Sequence, residues 1–125
     1  MQIQRPVFLN LLQIRLPLPG IASIMHRISG VAMVLAIPFL AWLLHYSLAD
    51  ADSYARLTNL LQQSLPVKLL LVLLLWALCH HLLAGMRYLL IDIEIGCDRL
   101  AARLTSLLVI AAAPLLALLL AGALL

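Results

Sequence analysis

The sequence has 125 residues, of which 66% are hydrophobic and 10% are charged. A water-soluble domain of this length leaves much of its surface in water and could not bury so many apolar side chains. The formal net charge of +3 arises from basic residues spread along the chain rather than from a basic patch, which argues against a nucleic-acid-binding protein. The composition therefore indicates an integral membrane protein.

Residues 1–22 are predicted to form a head outside the hydrocarbon core. Their central stretch, QRPVFLNLLQIRLPLPG, contains many apolar residues that suit either the headgroup region of a bilayer or a soluble partner. Its three prolines and its glycine prevent one continuous surface helix, so contact with a partner is favoured. These four residues are Pro6, Pro17, Pro19 and Gly20.

Three stretches without Asp, Glu, Lys or Arg follow, each close to the roughly 20 residues that cross a hydrocarbon core. They are residues 28–49, 69–86 and 104–125. Since a helix satisfies its own backbone polar groups in lipid, the sequence predicts an all-α membrane protein with three transmembrane helices in one domain, 1–125. With their flanks, the predicted helices are residues 23–49, 66–92 and 103–125. The connection between the first two is predicted to contain a short helix.

The basic residues are distributed unevenly between the two sides of these spans. The groups that precede the first span and that lie between the second and third spans are Arg5, Arg15, Arg27, Arg87, Arg99 and Arg103. The connection between the first two spans holds only Arg56 and Lys68, offset by two aspartates. Because basic residues are enriched on the cytoplasmic side, the N-terminus is predicted to be cytoplasmic and the C-terminus to lie on the far side.

Two adjacent histidines, His80 and His81, lie within the second predicted span. Ionisable residues inside a span are rare, so a functional site is the default hypothesis. Neighbouring positions on a helix point about 100° apart, so the two imidazoles cannot ligate one metal from one side. The face of His81 carries small residues, Ala77, Ala84 and Gly85, which would admit a flat haem. The face of His80 is more crowded, with Trp76, Leu83 and Arg87.

Spacing alone leaves a second interpretation of His81 open. Small residues beside a polar one are also typical of helix–helix packing in membranes, where a histidine can hydrogen-bond across the interface. His81 is therefore either a haem ligand or a packing residue.

The motif SIMHRISG places Ser23, His26 and Arg27 at the entrance of the first span. Because the second span returns to the same side, these residues lie at the membrane level of Arg87, and His81 lies about 9 Å deeper at ~1.5 Å per residue. Acidic groups of a haem at His81 could then reach His26 and Arg27. Ser23 and Arg27, four residues apart on one face, could donate to a carbonyl oxygen. The alternative for Arg27 is snorkelling to lipid phosphate.

Two segments of the chain, QRPVFLNLLQIRLPLPGIASIMHRISG and HHLLAGMRYLLID, resemble signatures of a known family. SxxHRxSG enters the first span, and HxxxGxR followed by an aspartate closes the second. With three spans in all, the chain resembles the larger cytochrome b membrane-anchor subunit of bacterial succinate dehydrogenase, respiratory complex II. The resemblance extends over nearly the whole chain.

For haem, the resemblance implies that His81 is one axial ligand of a b-type haem and that His26 and Arg27 approach its propionates. The family often has a histidine directly after the arginine of HxxxGxR, and this sequence has Tyr88 there. A phenol can still donate a hydrogen bond, so Tyr88 is the weaker propionate candidate. His80 occupies a position to which the family assigns no haem role.

For quinone, the resemblance implies that Ser23 and Arg27 line a ubiquinone site. Asp92, which closes the second span, would be a hydrogen-bonding or proton-relay group beside it. Ubiquinone is then a substrate rather than a resident cofactor.

The resemblance also implies partners and a location. A second anchor subunit would provide the other haem ligand, and iron–sulfur and flavoprotein subunits would oxidise succinate, so this chain alone catalyses nothing. The assembly would lie in a bacterial inner membrane, with the C-terminus in the periplasm. Two alternatives remain: the anchor of a quinol:fumarate reductase, and a redox-silent membrane scaffold or assembly protein.

Overall fold

A computed structural model describes residues 15–124. Within that part of the chain there are four helices and no strand: α1 Leu18–Ser47, α2 Ala51–Gln63, α3 Leu65–Asp92 and α4 Arg99–Leu124. Three of them, α1, α3 and α4, are long and apolar enough to cross a membrane. The predicted all-α fold with three transmembrane helices is confirmed, and the predicted short helix in the first connection is α2.

Helix α1 begins at Leu18, earlier than the predicted start at residue 23. Pro17 is its N-cap, and the N–H groups of Gly20 and Ile21 donate to the Pro17 carbonyl at 2.9 and 3.1 Å. Proline is tolerated in the first turn of a helix, because the N–H that it lacks would have no partner within the helix. Pro17 and Pro19 therefore lie at the start of α1. Residues 1–14 of the predicted head lie outside the described part.

Helix α4 also begins earlier than predicted, at Arg99 rather than residue 103. The Asp98 carboxylate accepts hydrogen bonds from the N–H groups of Leu100 and Ala101 at 3.1 and 2.9 Å, which caps the first turn. The turn before it is tight, since Glu94 and Gly96 adopt positive φ angles of 62° and 78°. This short turn connects the end of α3 to the start of α4 at one end of the bundle.

The transmembrane helices form a three-helix bundle in which α3 packs against both α1 and α4, and α1 also contacts α4. The contacts are made through small side chains that are at most 1% exposed: Ala22, Ser29, Ala77, Ala84, Ser106, Ala113 and Ala117. Such residues let helix backbones approach closely in a membrane, where packing rather than water exclusion drives association. Most of the leucines point outward, as expected for a surface that faces lipid.

Helix α2 connects the ends of α1 and α3 at the opposite end of the bundle from the α3–α4 turn. Its N-cap Asp50 accepts hydrogen bonds from the Ser53 N–H at 2.6 Å and from the Ser53 hydroxyl at 3.0 Å. These bonds favour the carboxylate and hold the pKa of Asp50 below its ordinary value, and nearby Arg56 adds to the effect.

Candidate functional site

An open groove of about 480 Å³ lies between α1 and α3, and we call it the α1–α3 groove. Its polar end consists of His26, Arg27, Gly30 and His81, and its apolar extension consists of Val31, Val34 and Leu35. These α1 residues share one face because they recur at helical spacing. The groove thus brings together a polar residue from α3 and the SIMHRISG motif of α1.

His81 enters this groove from α3 with one ring nitrogen already engaged. Its Nδ1 lies 3.2 Å from the main-chain carbonyl oxygen of His26 and 3.2 Å from the hydroxyl oxygen of Ser29. The Ser29 hydroxyl in turn donates to the same carbonyl at 2.8 Å. Among the described residues, all hydrogen bonds of the His81 ring are made at Nδ1, so Nε2 is available to a ligand.

The imidazole of His81 is also held by close contacts with two residues of α1, His26 and Gly30. The His26 ring stacks on it with centroids 4.1 Å apart and planes 20° apart. A Cβ atom added to Gly30 would lie 3.0 Å from Cε1 and 3.3 Å from Nδ1 of His81, tighter than most real contacts. Glycine at this position therefore provides the space in which the ring sits.

Tyr88 extends the same cluster one turn from Gly85. Its ring lies 5.3 Å from the His26 ring, and the Arg87 guanidinium lies 5.4 Å from its centroid. The Tyr88 hydroxyl is buried and has no hydrogen-bond partner among residues 15–124. A buried hydroxyl without a partner is costly, so this group is suited to donate to an anionic ligand.

The predicted quinone residues are less closely gathered. Arg27 is exposed and lines the groove, while Ser23 is half-buried one turn before it on α1. Asp92 is exposed at the last position of α3. In the described part of the chain, neither Ser23 nor Asp92 makes a side-chain hydrogen bond to the groove residues. The structure therefore joins His26, Arg27, His81 and Tyr88 into one cluster and leaves the other two at its margin.

His80 lies about 100° around α3 from His81 and is fully buried in the bundle. Its ring stacks on that of Trp76 with centroids 5.6 Å apart, and neither ring nitrogen has a hydrogen-bond partner within residues 15–124. It is the more enclosed histidine of the pair. The small residues Ala77 and Ala84, however, do not leave an open face beside His81, since both are 1% exposed and buried at helix contacts. The free space lies against Gly30 of α1 instead.

Arg87 of the HxxxGxR motif has a structural position that the sequence did not suggest. It is 7% exposed, and its Nε and Nη2 atoms donate to the Thr105 hydroxyl at 3.0 Å and to the Ala102 carbonyl at 3.2 Å. Both acceptors belong to α4. The guanidinium therefore joins α3 to α4 and does not line the α1–α3 groove.

Sequence reasoning also missed Ser29 and Gly30, although both belong to SIMHRISG. A signal was available, because they follow His26 by three and four residues and so share its face of α1. What the spacing could not provide is the position of α3 relative to that face.

The groove fits a b-type haem in three respects. His81 presents one unengaged ring nitrogen, which is the ordinary iron ligand of protein haems. Gly30 leaves room for that imidazole at the edge of the groove, and the unpartnered Tyr88 hydroxyl, with His26 and Arg27, suits the carboxylates at the edge of such a macrocycle. Residues 15–124 contain no group of three or more His, Cys, Asp or Glu side chains able to hold a metal ion.

Comparisons with known proteins identify the family to which the chain is similar. The family described as succinate dehydrogenase/fumarate reductase transmembrane subunit matches residues 1–120. Among proteins named succinate dehydrogenase cytochrome b556 subunit, that of Coxiella burnetii is 40% identical over 93 residues, 74% of each chain. The protein of that name in Paracoccus denitrificans is 36% identical over 115 residues, 92% of this chain and 88% of the relative. That of Rickettsia felis is 33% identical over 117 residues, 94% and 90% respectively.

Proposed function

This chain belongs to the succinate dehydrogenase/fumarate reductase transmembrane subunit family, and we propose that it is the cytochrome b anchor of a succinate dehydrogenase. In this role it helps to bind haem b and ubiquinone and passes electrons from an iron–sulfur subunit to the quinone. Under this proposal it acts only within the complex, in which the soluble subunits oxidise succinate.

The observation that carries the proposal is the environment of His81. Its Nδ1 is engaged by the His26 carbonyl, its ring stacks on His26 and lies close to Gly30, and its other nitrogen is left for iron. The haem supplies one-electron transfer when bound. His26, Arg27 and Tyr88 are the groups of this chain that would hold its propionates, through charge-assisted or phenolic hydrogen bonds.

The open shape of the α1–α3 groove supports a haem shared with another chain. The apolar extension of the groove is exposed, with Val34 65% and Leu35 70% accessible, so this chain would cover only one side of a macrocycle. A second histidine on the other side would come from a companion anchor subunit. The soluble partners, an iron–sulfur and a flavoprotein subunit, would dock at the same end of the bundle.

Quinone reduction requires two electrons and two protons at a position that also admits an apolar tail. Arg27 is exposed at the polar end of the groove, where its guanidinium can donate to a quinone oxygen and stabilise the negative charge that develops there. Ser23, four residues earlier on α1, adds a second donor. Asp92, exposed at the end of α3, can exchange protons with water and pass them toward this site.

The proposed orientation in the membrane is supported by the basic residues at the end of the bundle that carries the polar end of the groove. Arg15, Arg27, Arg99 and Arg103 all lie there, which supports a cytoplasmic location for this end by the positive-inside rule. The C-terminus of α4 then faces the periplasm of a bacterial inner membrane. The soluble subunits and the source of protons are thereby on one side.

The direct test compares His81→Ala with His80→Ala in the assembled complex, because the two residues are adjacent and chemically identical. We expect the reduced-minus-oxidised haem b spectrum to be lost or strongly changed in His81→Ala, since an axial ligand is removed. In His80→Ala, complexes that assemble should retain the spectrum, because His80 lies on the closed side of α3. An unchanged bis-imidazole spectrum in assembled His81→Ala complexes would contradict the proposal and favour a redox-silent scaffold.

A further inference from the structure

The contacts around Nδ1 of His81 form a closed triangle of three groups. The Ser29 hydroxyl oxygen lies 2.8 Å from the His26 carbonyl oxygen. His81 Nδ1 lies 3.2 Å from each of these two oxygens. Ser29 is 0% exposed, so water does not compete for these hydrogen bonds at its side chain. The hydrogens available within the triangle are that of the Ser29 hydroxyl and, in one tautomer, that of His81 Nδ1.

Only one tautomer of a neutral His81 satisfies the triangle. A carbonyl oxygen accepts and cannot donate, so a lone pair on Nδ1 would face the lone pairs of the His26 oxygen 3.2 Å away. With its proton on Nδ1, the ring donates to that carbonyl and to the Ser29 oxygen. The Ser29 hydroxyl donates its own hydrogen to the same carbonyl, which also accepts the helical hydrogen bond of the Gly30 N–H. Nε2 is then left with a lone pair.

From this geometry we infer that Ser29 is a positioning residue for the haem ligand, an inference that rests on the proposed function. Ser29 and the His26 carbonyl hold His81 in the tautomer with its proton on Nδ1, with Nε2 directed to iron. A hydrogen bond at the ring nitrogen that does not bind the metal fixes the plane of a ligating imidazole and makes the imidazole a stronger electron donor to the metal. Ser29 thus acts on the haem through His81, without touching it.

The chain offers a closely matched control in Ser106. Like Ser29, it is 0% exposed, lies in a transmembrane helix and donates to a carbonyl one turn earlier, that of Ala102, at 2.7 Å. In the part of the chain that the structure describes, its hydroxyl makes no hydrogen bond to an imidazole. Ser106→Ala therefore removes the same atom from an equally buried position without disturbing the triangle.

The experiment compares Ser29→Ala and Ser106→Ala in purified, fully assembled complexes. We expect Ser29→Ala to weaken haem retention by about 10-fold or more, measured by transfer to excess apomyoglobin, as for other losses of hydrogen bonds to metal ligands. The ferric haem should show an altered low-spin electron paramagnetic resonance signal and a higher midpoint potential, because the imidazole becomes a weaker donor. Ser106→Ala should leave all three quantities unchanged.

A second variant, Ser29→Cys, separates the hydrogen bond from the volume of the side chain. A thiol fills the site but is a weak donor and acceptor, so the haem of Ser29→Cys should resemble that of Ser29→Ala. The inference is overturned if Ser29→Ala matches Ser106→Ala in all three measurements, or if the thiol restores wild-type values. Retention of an unaltered haem by His81→Ala would instead overturn the proposed function itself, so the two failures are distinguishable.

Discussion

The side of α3 that faces α1 and the side that faces α4 both carry a polar residue within the predicted HxxxGxR motif, but the surroundings of the two residues differ. On the α1 side, His81 lies beside Gly30 and His26 at an open groove, with one ring nitrogen unengaged. On the α4 side, Arg87 is buried, and its guanidinium is held by the Thr105 hydroxyl and the Ala102 carbonyl. A polar residue on the α4 side is thus satisfied within the chain, whereas the polar residues on the α1 side retain capacity for a ligand.

This difference separates packing from binding in a membrane protein. Buried polar groups are expensive in lipid, so the unpartnered Tyr88 hydroxyl beside the open groove favours a ligand there, whereas the unpartnered ring of His80 is enclosed by the bundle. Changes on the α1 side should therefore alter haem and quinone chemistry while the bundle persists. Changes on the α4 side should alter the stability of the bundle and leave the haem in place.

The largest effect is expected for Arg27→Ala on the α1 side. Because a hydrogen bond to a charged group contributes about 1.5–3 kcal/mol, quinone reductase activity should fall by about 10- to 100-fold. Succinate oxidation with a soluble artificial acceptor should be retained, since that reaction bypasses the quinone. Arg103→Ala, which removes another exposed arginine at the same end, is the control. Equal loss of both activities in Arg27→Ala would indicate failed assembly and contradict the assignment.

The next effect concerns the space beside His81. Gly30→Ala places a Cβ 3.0 Å from Cε1 of the His81 ring, so the imidazole must shift. The affinity of the complex for haem should fall by about 10-fold, and its haem content should fall with it. Gly122→Ala is a suitable control, because its Cβ would meet nothing within 4 Å. Haem per complex, measured by pyridine haemochrome, checks this. Equal haem content in the two variants would show that Gly30 does not provide the ring's space.

A smaller effect, on the stability of the bundle rather than on haem binding, is expected for Arg87→Met on the α4 side. The substitution keeps an apolar stem and removes the hydrogen bonds to Thr105 and Ala102, at a cost of about 1.5–3 kcal/mol in the stability of the helix contact. The thermal midpoint of the purified complex should fall relative to Arg103→Met, while the haem spectrum is retained. Loss of the haem spectrum at an unchanged midpoint would remove the distinction between the two sides.

The smallest effect lies far from both sides, at the N-cap of α2. Because the folded-state pKa of Asp50 is depressed, its contribution to stability is present above the unfolded value of about 4 and is lost as the pH falls through the folded value. Amide exchange at the first turn of α2 should therefore accelerate, after correction for intrinsic rates, as the pH is lowered below about 4. Asp50→Ala should show the faster exchange already at neutral pH, with haem and activity unchanged. A pH-independent first turn in the wild type would contradict the capping role.

The sequence was sufficient for features that depend on local patterning and insufficient for those that depend on helix contacts. Charge-free stretches of bilayer length predicted the three spans, and the relation of SIMHRISG to the HxxxGxR motif placed His26 and His81 at one end. The direction of Arg87 and the burial of Ala77 and Ala84 depend on how α3 rotates against its neighbours. No pattern within one helix specifies that rotation. The start of α1 at Leu18 was missed because prolines that end a helix also begin one.

The most direct test of the account is an experimental density map of the complex purified from membranes with its haem. We expect a porphyrin against α1 and α3 beside Gly30, its iron bonded to Nε2 of His81 and to an imidazole of another chain. A map in which that nitrogen bonds only to protein, with no porphyrin between the chains, would contradict the account.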